Sequence, residues 1–106
     1  MLALAMFCLC ALPYALIATN AQGAEFQGSI PAEGVKEAQY HQLARISPEE
    51  AMEKARAQVP GAVTKLELEE EGGYLVYEVD IVQENETKME VLIDAGDGSV
   101  LRQKKD

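Results

Sequence analysis

This chain is poor in the residues from which most catalytic and metal sites are built. It contains one histidine, His41, and two cysteines, Cys8 and Cys10. Both cysteines lie inside an apolar leader, so export with leader removal leaves a mature chain without a thiol or a disulfide. A zinc site needs several Cys, His or carboxylate ligands at suitable spacing. Nothing stands at such spacing from His41, which reads as an exposed or partly packed side chain. Missing too are a phosphate-cradling glycine loop, a nucleophile elbow and a basic surface interleaved with aromatics. Basic residues are half as numerous as acidic ones, 9 against 18, giving a formal charge of −9. That balance repels nucleic acid and anionic membrane surfaces. It gives a solvated acidic surface that could attract cations or a basic partner. No catalytic residue, no metal-ligand set and no cofactor is therefore expected.

Positive charge is also absent from the first segment. Residues Met1 to Ala18 are almost wholly apolar and uncharged, broken only by Pro13 and Tyr14. The composition then turns small and polar at Thr19-Asn20-Ala21-Gln22-Gly23-Ala24. An apolar core with a small-residue exit is the shape of a secretory signal peptide, cleaved after Ala21 or Gly23. The rival reading is an uncleaved membrane anchor, since a span needs roughly 17–25 apolar residues. The expected organisation is residues 1–24 as signal peptide or anchor, 25–45 as a linker or loosely docked arm, and 46–104 as one small domain. The expected location is periplasmic or secreted, with membrane contact only if residues 1–24 are retained.

The arm is interrupted by Gly28, Pro31 and Gly34, and a weak apolar stripe through Val35, Ala38, Leu43 and Ala44 suits a short helix. Firm structure begins at Ser47-Pro48-Glu49-Glu50. Ser47 is placed to cap a helix and Pro48 suits its first position, while the two glutamates sit at the positive end of the dipole. Ala51, Met52, Ala55 and Val59 form one apolar face, and Pro60-Gly61 stops the helix. Three alternating segments follow, Val63–Glu71, Tyr74–Ile81 and Lys88–Ile93, separated by Gly72-Gly73 and by Gln83-Glu84-Asn85-Glu86. A short fourth segment, Ser99 to Gln103, follows Asp94-Ala95-Gly96-Asp97-Gly98. The pattern predicts an α+β fold, one helix packed on a small antiparallel sheet of three to four strands, as a helix followed by a β-meander. Arg102, Lys104 and Lys105 read as a solvated basic end.

Glu67, Glu69 and Glu71 share one strand face, across from Glu78 and Asp80. A hydrolytic carboxylate pair needs a cleft and unlike environments to separate two pKa values. A flat, solvent-facing sheet surface gives neither, so these groups read as a solvated face with Lys65 and Lys88 as counter-charges. A weak divalent-cation site is the alternative. The Asp94–Gly98 stretch lacks the twelve-residue ligand pattern of a calcium loop and reads as a turn. Asn85-Glu86-Thr87 matches the glycosylation triplet, which bears on function only in a eukaryotic secretory pathway.

Three stretches together carry a resemblance: Ile46-Ser47-Pro48-Glu49-Glu50-Ala51 with Ala55 and Pro60-Gly61; Gly73-Tyr74-Leu75-Val76-Tyr77-Glu78-Val79; and Val91-Leu92-Ile93-Asp94-Ala95 with Gly98-Ser99-Val100-Leu101. In order and spacing the chain resembles a PepSY domain over about Ala44 to Gln103. The resemblance implies a helix on an antiparallel sheet in extracytoplasmic bacterial proteins, and it supplies no family-wide catalytic residue. The family includes propeptides of secreted thermolysin-like peptidases, which implies a non-enzymatic module that binds an extracytoplasmic peptidase or another exported protein and restrains it in trans. The expected contact surface is the polar sheet face at Tyr74, Val76, Glu78 and Asp80, or a peptide added beside an edge strand. The alternatives are an acidic cation- or metal-responsive module and a membrane-anchored sensor ectodomain.

Overall fold

The computed structural model describes residues 26–106, and the expected signal peptide or anchor at 1–24 lies outside the described residues. Among the described residues no helix is long and apolar enough to cross a membrane. In chain order come a 3-10 turn at Glu37–Gln39, helix α1 at Tyr40–Leu43, helix α2 at Pro48–Gln58, and strands β1 (Ala62–Glu71), β2 (Tyr74–Val82), β3 (Lys88–Asp94) and β4 (Val100–Lys105). The strands form one antiparallel sheet in the order β1-β2-β3-β4. This is the α+β meander that the alternation predicts.

Helix α2 starts where its capping chemistry requires. The Ser47 hydroxyl oxygen accepts a hydrogen bond from the Glu50 amide at 3.1 Å, which satisfies one of the amides left free at a helix start. Pro48 stands in the first turn with Glu49 and Glu50, and the Val59 amide closes the other end onto Ala55 C=O. Ala51 and Ala55 are fully buried and Val59 nearly so. These small side chains let the helix axis lie close to the sheet, over Leu75, Val79, Ile81, Val91 and Ile93, none of which is exposed. The Tyr77 hydroxyl donates to Ile46 C=O at 2.9 Å, tying β2 to the residue that leads into the cap. Burial, and secondarily the charge of Glu49, pushes the Tyr77 phenol above its ordinary pKa.

The turns follow from backbone geometry. Gly72 and Gly73 have φ of 62° and 94°, the positive values a two-residue hairpin turn demands. The Gly73 amide donates to Glu70 Oε2 at 2.7 Å. The β2–β3 turn is closed by Gln83 N–H to Thr87 C=O at 2.9 Å, and the Asn85 side chain accepts from the Thr87 amide at 3.0 Å. Arg102, Lys104 and Lys105, read from the sequence as a solvated end, all lie in β4, where Lys104 and Lys105 are exposed and Arg102 is half-buried. Arg102 Nη2 stands 3.1 Å from Glu71 Oε2, and Lys104 Nζ stands 3.5 Å from Glu90 Oε1. Glu90 on neighbouring β3 and Glu71 on β1, three strands away, hold Arg102 and Lys104 in the sheet.

The arm is also corrected. Instead of a loose linker, residues 26–46 are built into the domain. Ile30 and Ala32 are 6% and 1% exposed and belong to the same core cluster as α2 and the sheet, with Tyr40 and Ala44 packed against it. Beyond the end of β3, the arm pairs with β2: Leu75 N–H donates to Ile30 C=O and Ala32 N–H to Gly73 C=O, both at 2.9 Å. Asp94 holds the arm from the other side. Its Oδ2 accepts the Ser29 amide at 2.9 Å and its Oδ1 accepts the Ser29 hydroxyl at 2.8 Å. Oδ1 also accepts the Gly96 amide at 2.7 Å. A Cβ added at Gly96 would collide with Ser29 Oγ, so only glycine allows this approach.

Two substitutions test this construction. Ile30→Ala should cost about 2–4 kcal/mol, the range for an emptied core site, read from the urea midpoint; a loose arm would lose almost nothing. Asp94→Ala strips three donors of a buried charged acceptor and should cost about 3 kcal/mol or more, with new proteolytic cutting in the arm ahead of any cutting in the strands.

Candidate functional site

Residues paired across antiparallel strands point to the same face, so the register defines what lies opposite α2. β1 contributes Lys65, Glu67, Glu69 and Glu71; β2 contributes Tyr74, Val76, Glu78 and Asp80; β3 contributes Lys88, Glu90, Leu92 and Asp94; β4 contributes Arg102 and Lys104. This open face is less solvated than alternation implies. Val76 is fully buried, Leu92 is 1% exposed, and Glu78 is only 9% exposed. Part of the cover comes from the arm: Gly28 packs so closely on Tyr74 that a Cβ would meet its side chain. The Arg102 guanidinium stacks over the Phe26 ring, 5.7 Å from the centroid.

Within this shelter the carboxylates converge. Glu67, Glu69 and Glu78 bring carboxylate oxygens within 4.8 Å of one another, and so do Glu78, Asp80 and Glu90. Glu78 belongs to both trios. Lys65 Nζ stands 3.5 Å from Glu78 Oε2 and 3.7 Å from Glu67 Oε1, but half of its side chain remains in solvent. Burial first, then a hydrogen bond with Glu78 and the charge of Glu78, pushes the Glu69 carboxyl up to about 8. A hydrogen bond with Glu78, followed by burial, likewise raises Glu90, against the opposing pull of Lys104. Lys65 is raised by Glu78 and then Glu67. The expectation of a flat face with uniformly solvated carboxylates is therefore corrected: crowding of like charges and partial burial give these groups unlike environments.

Of the expected contact residues, Tyr74 and Asp80 are half-buried, while Val76 and Glu78 have almost no surface to offer. Val76 and Leu92 were the available sequence signal, being apolar residues in register with charged ones on the same face. Asp94, read as a turn residue, is 2% exposed and is the anchor of the arm. Asp97 does act within the turn, with Oδ1 accepting the Ser99 amide at 2.9 Å and the Ser99 hydroxyl at 2.7 Å. His41 lies exposed on α1. An open depression of about 480 Å³ at the opposite end of the sheet is lined by Pro60, Gly61, Gln83, Glu84 and Asn85. That lining offers one carboxylate and neither histidine nor cysteine, so it assembles no nucleophile–base pair.

Comparison with known proteins gives the arrangement a family. The "Peptidase propeptide and YPEB domain" model, PepSY, matches residues 45–104. The chain is 39% identical over 61 residues to the uncharacterized protein YkoJ of Bacillus subtilis (strain 168), a match that covers 58% of this chain and 36% of that relative. The chain thus corresponds to about a third of the length of the curated relative it matches. No solved structure matches. The matched span begins at the lead-in to α2 and runs through β4, so helix, meander and carboxyl face all fall within it, and the chain belongs to the PepSY family.

Proposed function

We infer that this protein is an exported, non-enzymatic binding module that modulates an extracytoplasmic peptidase, or another exported protein, in trans. Family membership supports a regulatory or binding role of this kind. The observation that carries the reading to a surface is the open edge of the sheet at β4. The Asp106 amide donates to Lys88 C=O at 2.9 Å, so 88 and 106 are a hydrogen-bonded pair. Alternation along the ladder then makes Glu90–Lys104 and Leu92–Arg102 hydrogen-bonded pairs as well. The amides and carbonyls of Gln103 and Lys105 consequently point away from β3, toward an added strand. At the other edge α1 packs against β1, which leaves β4 the more open side. An extended segment of the partner adds there, its main chain paired with Gln103 and Lys105 and its acidic side chains matched to Lys105. Tyr74 and Asp80 contribute, in this reading, through their exposed portions, with Val76 and Glu78 shaping the face from within.

A second reading, favoured by the two carboxylate trios, has the open face take a divalent cation at Glu78.

The edge is tested with Gln103→Pro. Proline there removes an outward amide, a change that edge strands tolerate, together with the exposed side-chain bond from Gln103 Nε2 to Gln58 Oε1 at 3.1 Å. The purified protein should inhibit or capture one of the peptidases exported by the same cell, and Q103P should lose that effect at least tenfold with its urea midpoint nearly unchanged. Absence of any inhibited or captured peptidase would sink the reading. For the cation reading, titration calorimetry with calcium should give heat at millimolar concentrations, and none after Glu78→Gln.

A further inference from the structure

Residues 26–32 enter the domain as a separate piece. Leu75 N–H donates to Ile30 C=O and Ala32 N–H to Gly73 C=O, both at 2.9 Å, so the segment lies beside β2 as a short added strand. Ile30 and Ala32 fill places in the core, Asp94 binds both the amide and the hydroxyl of Ser29, and the Phe26 ring lies under the Arg102 guanidinium. The slot that receives the segment is made by Gly73, Tyr74, Leu75, Asp94, Gly96 and Arg102. All six fall inside the family span of 45–104, whereas the segment that fills the slot falls outside it.

The link that joins this segment to α1 is of a different kind. From Glu33 to Gln39 every residue except Val35 is exposed. Its backbone hydrogen bonds are local, Val35 N–H to Ala32 C=O at 3.0 Å and Gln39 N–H to Lys36 C=O at 2.8 Å. Gly34 makes the reversal with φ of 82°, in open space where an added Cβ would meet nothing within 4 Å. A well-bound segment on an exposed link can leave its own slot and fill the same slot of a neighbour with almost no change in contact energy. Extended at about 3.5 Å per residue, residues 33–39 reach about 25 Å, which lets two domains stand apart while each holds the other's segment. A reciprocal trade closes on a two-fold axis and ends at a dimer.

We propose that this slot is an interface between copies of the chain: two molecules exchange residues 26–32 across the Glu33–Gln39 link, and each completes the other's core. The partner is a second copy because its segment meets every demand of the slot. It brings a glycine against Tyr74, a hydroxyl to Asp94, and Ile30 and Ala32 to the core. The slot is separate from the β4 edge and does not depend on what that edge binds.

Exchange leaves a signature that ordinary association lacks. The segment makes the same contacts in monomer and dimer, so weakening them changes how fast copies interconvert and leaves the dimer fraction alone. The link is what differs, since only the monomer needs the Gly34 reversal. Each molecule's own segment competes for its slot at an effective concentration on the order of millimolar, which sets where the dimer appears.

The test is sedimentation equilibrium of the purified protein up to about 1 mM, with isotope-filtered NMR on a mixture of two differently labelled batches. A concentration-dependent dimer is expected, with contacts between Gly28 of one copy and Tyr74 of the other. Gly34→Val strains the reversal without touching the slot and should strengthen the dimer at least about tenfold. If that variant does not fold, Gly34→Ala serves, with a smaller gain. Ser29→Ala removes one hydrogen bond to Asp94; it should speed mixing of labelled and unlabelled copies about tenfold with the dimer fraction unchanged. Gln103→Pro should alter neither quantity, so a failure here and a failure of the edge reading are told apart. The proposal is overturned if the folded Gly34 variant stays monomeric at that concentration, or if the dimer shows no contact between Gly28 and Tyr74 across copies. A Ser29→Ala effect on the dimer fraction instead of the rate, or loss of the dimer in Gln103→Pro, would overturn it as well.

Discussion

One turn holds this domain together. Ala95, fully buried, donates its amide to Leu75 C=O at 3.2 Å and accepts the amides of Arg45 at 2.9 Å and Ile46 at 3.2 Å. Its neighbour Asp94 receives Ser29 through two hydrogen bonds and closes onto the Ser99 carbonyl through its own amide at 2.8 Å. The arm, β2, the lead-in to the α2 cap and the start of β4 therefore meet at two consecutive residues. Such a junction satisfies backbone groups that would otherwise be buried without partners. It also sets the position of α2: the residues before Ser47 are pinned to the sheet, so the helix begins at a fixed height above it.

The two faces of the sheet solve the same burial problem by different means. Toward α2, aliphatic side chains interlock with alanines, and the helix excludes water. On the other face no helix lies among the described residues; there Val76 and Leu92 are buried in register with charged residues of the neighbouring strands, while Phe26 approaches Arg102 and Gly28 approaches Tyr74. The apolar stems of Glu and Arg can shield such residues while their heads remain charged. Shielding of that kind crowds the heads. The crowded carboxylates of the open face thus accompany two buried apolar residues on a side to which the described residues bring no helix.

Much of the fold could be read from local chemistry. Ser47-Pro48, Pro60-Gly61 and Gly72-Gly73 each dictate a backbone geometry within a few residues, and period-two alternation assigns the core face of β2 and β3. What escaped reading was long-range. Nothing near Ile30 in the sequence says that Leu75 will need an acceptor beyond the end of β3, and nothing near Asp94 announces a serine 65 residues earlier. The carboxyl cluster was partly visible, since Glu67, Glu69 and Glu71 obviously share a face. Its sheltered character depends on the arm and on β4, whose placement the local pattern does not specify. Arg102 and Lys104 looked like a tail for the same reason: two-residue alternation over so short a segment carries little signal beside three charges.

The clamp between Ser29 and Asp94 spans almost the whole described chain, from near its beginning to the last turn before its end. The meander can form by successive hairpins, each closing a short loop at low entropic cost. The clamp cannot, because its acceptor follows its donor by 65 residues, beyond α2 and three strands. The domain therefore has an order of completion written into its connectivity. The hairpins close locally, and the arm gains its anchor only once the turn after β3 is in place.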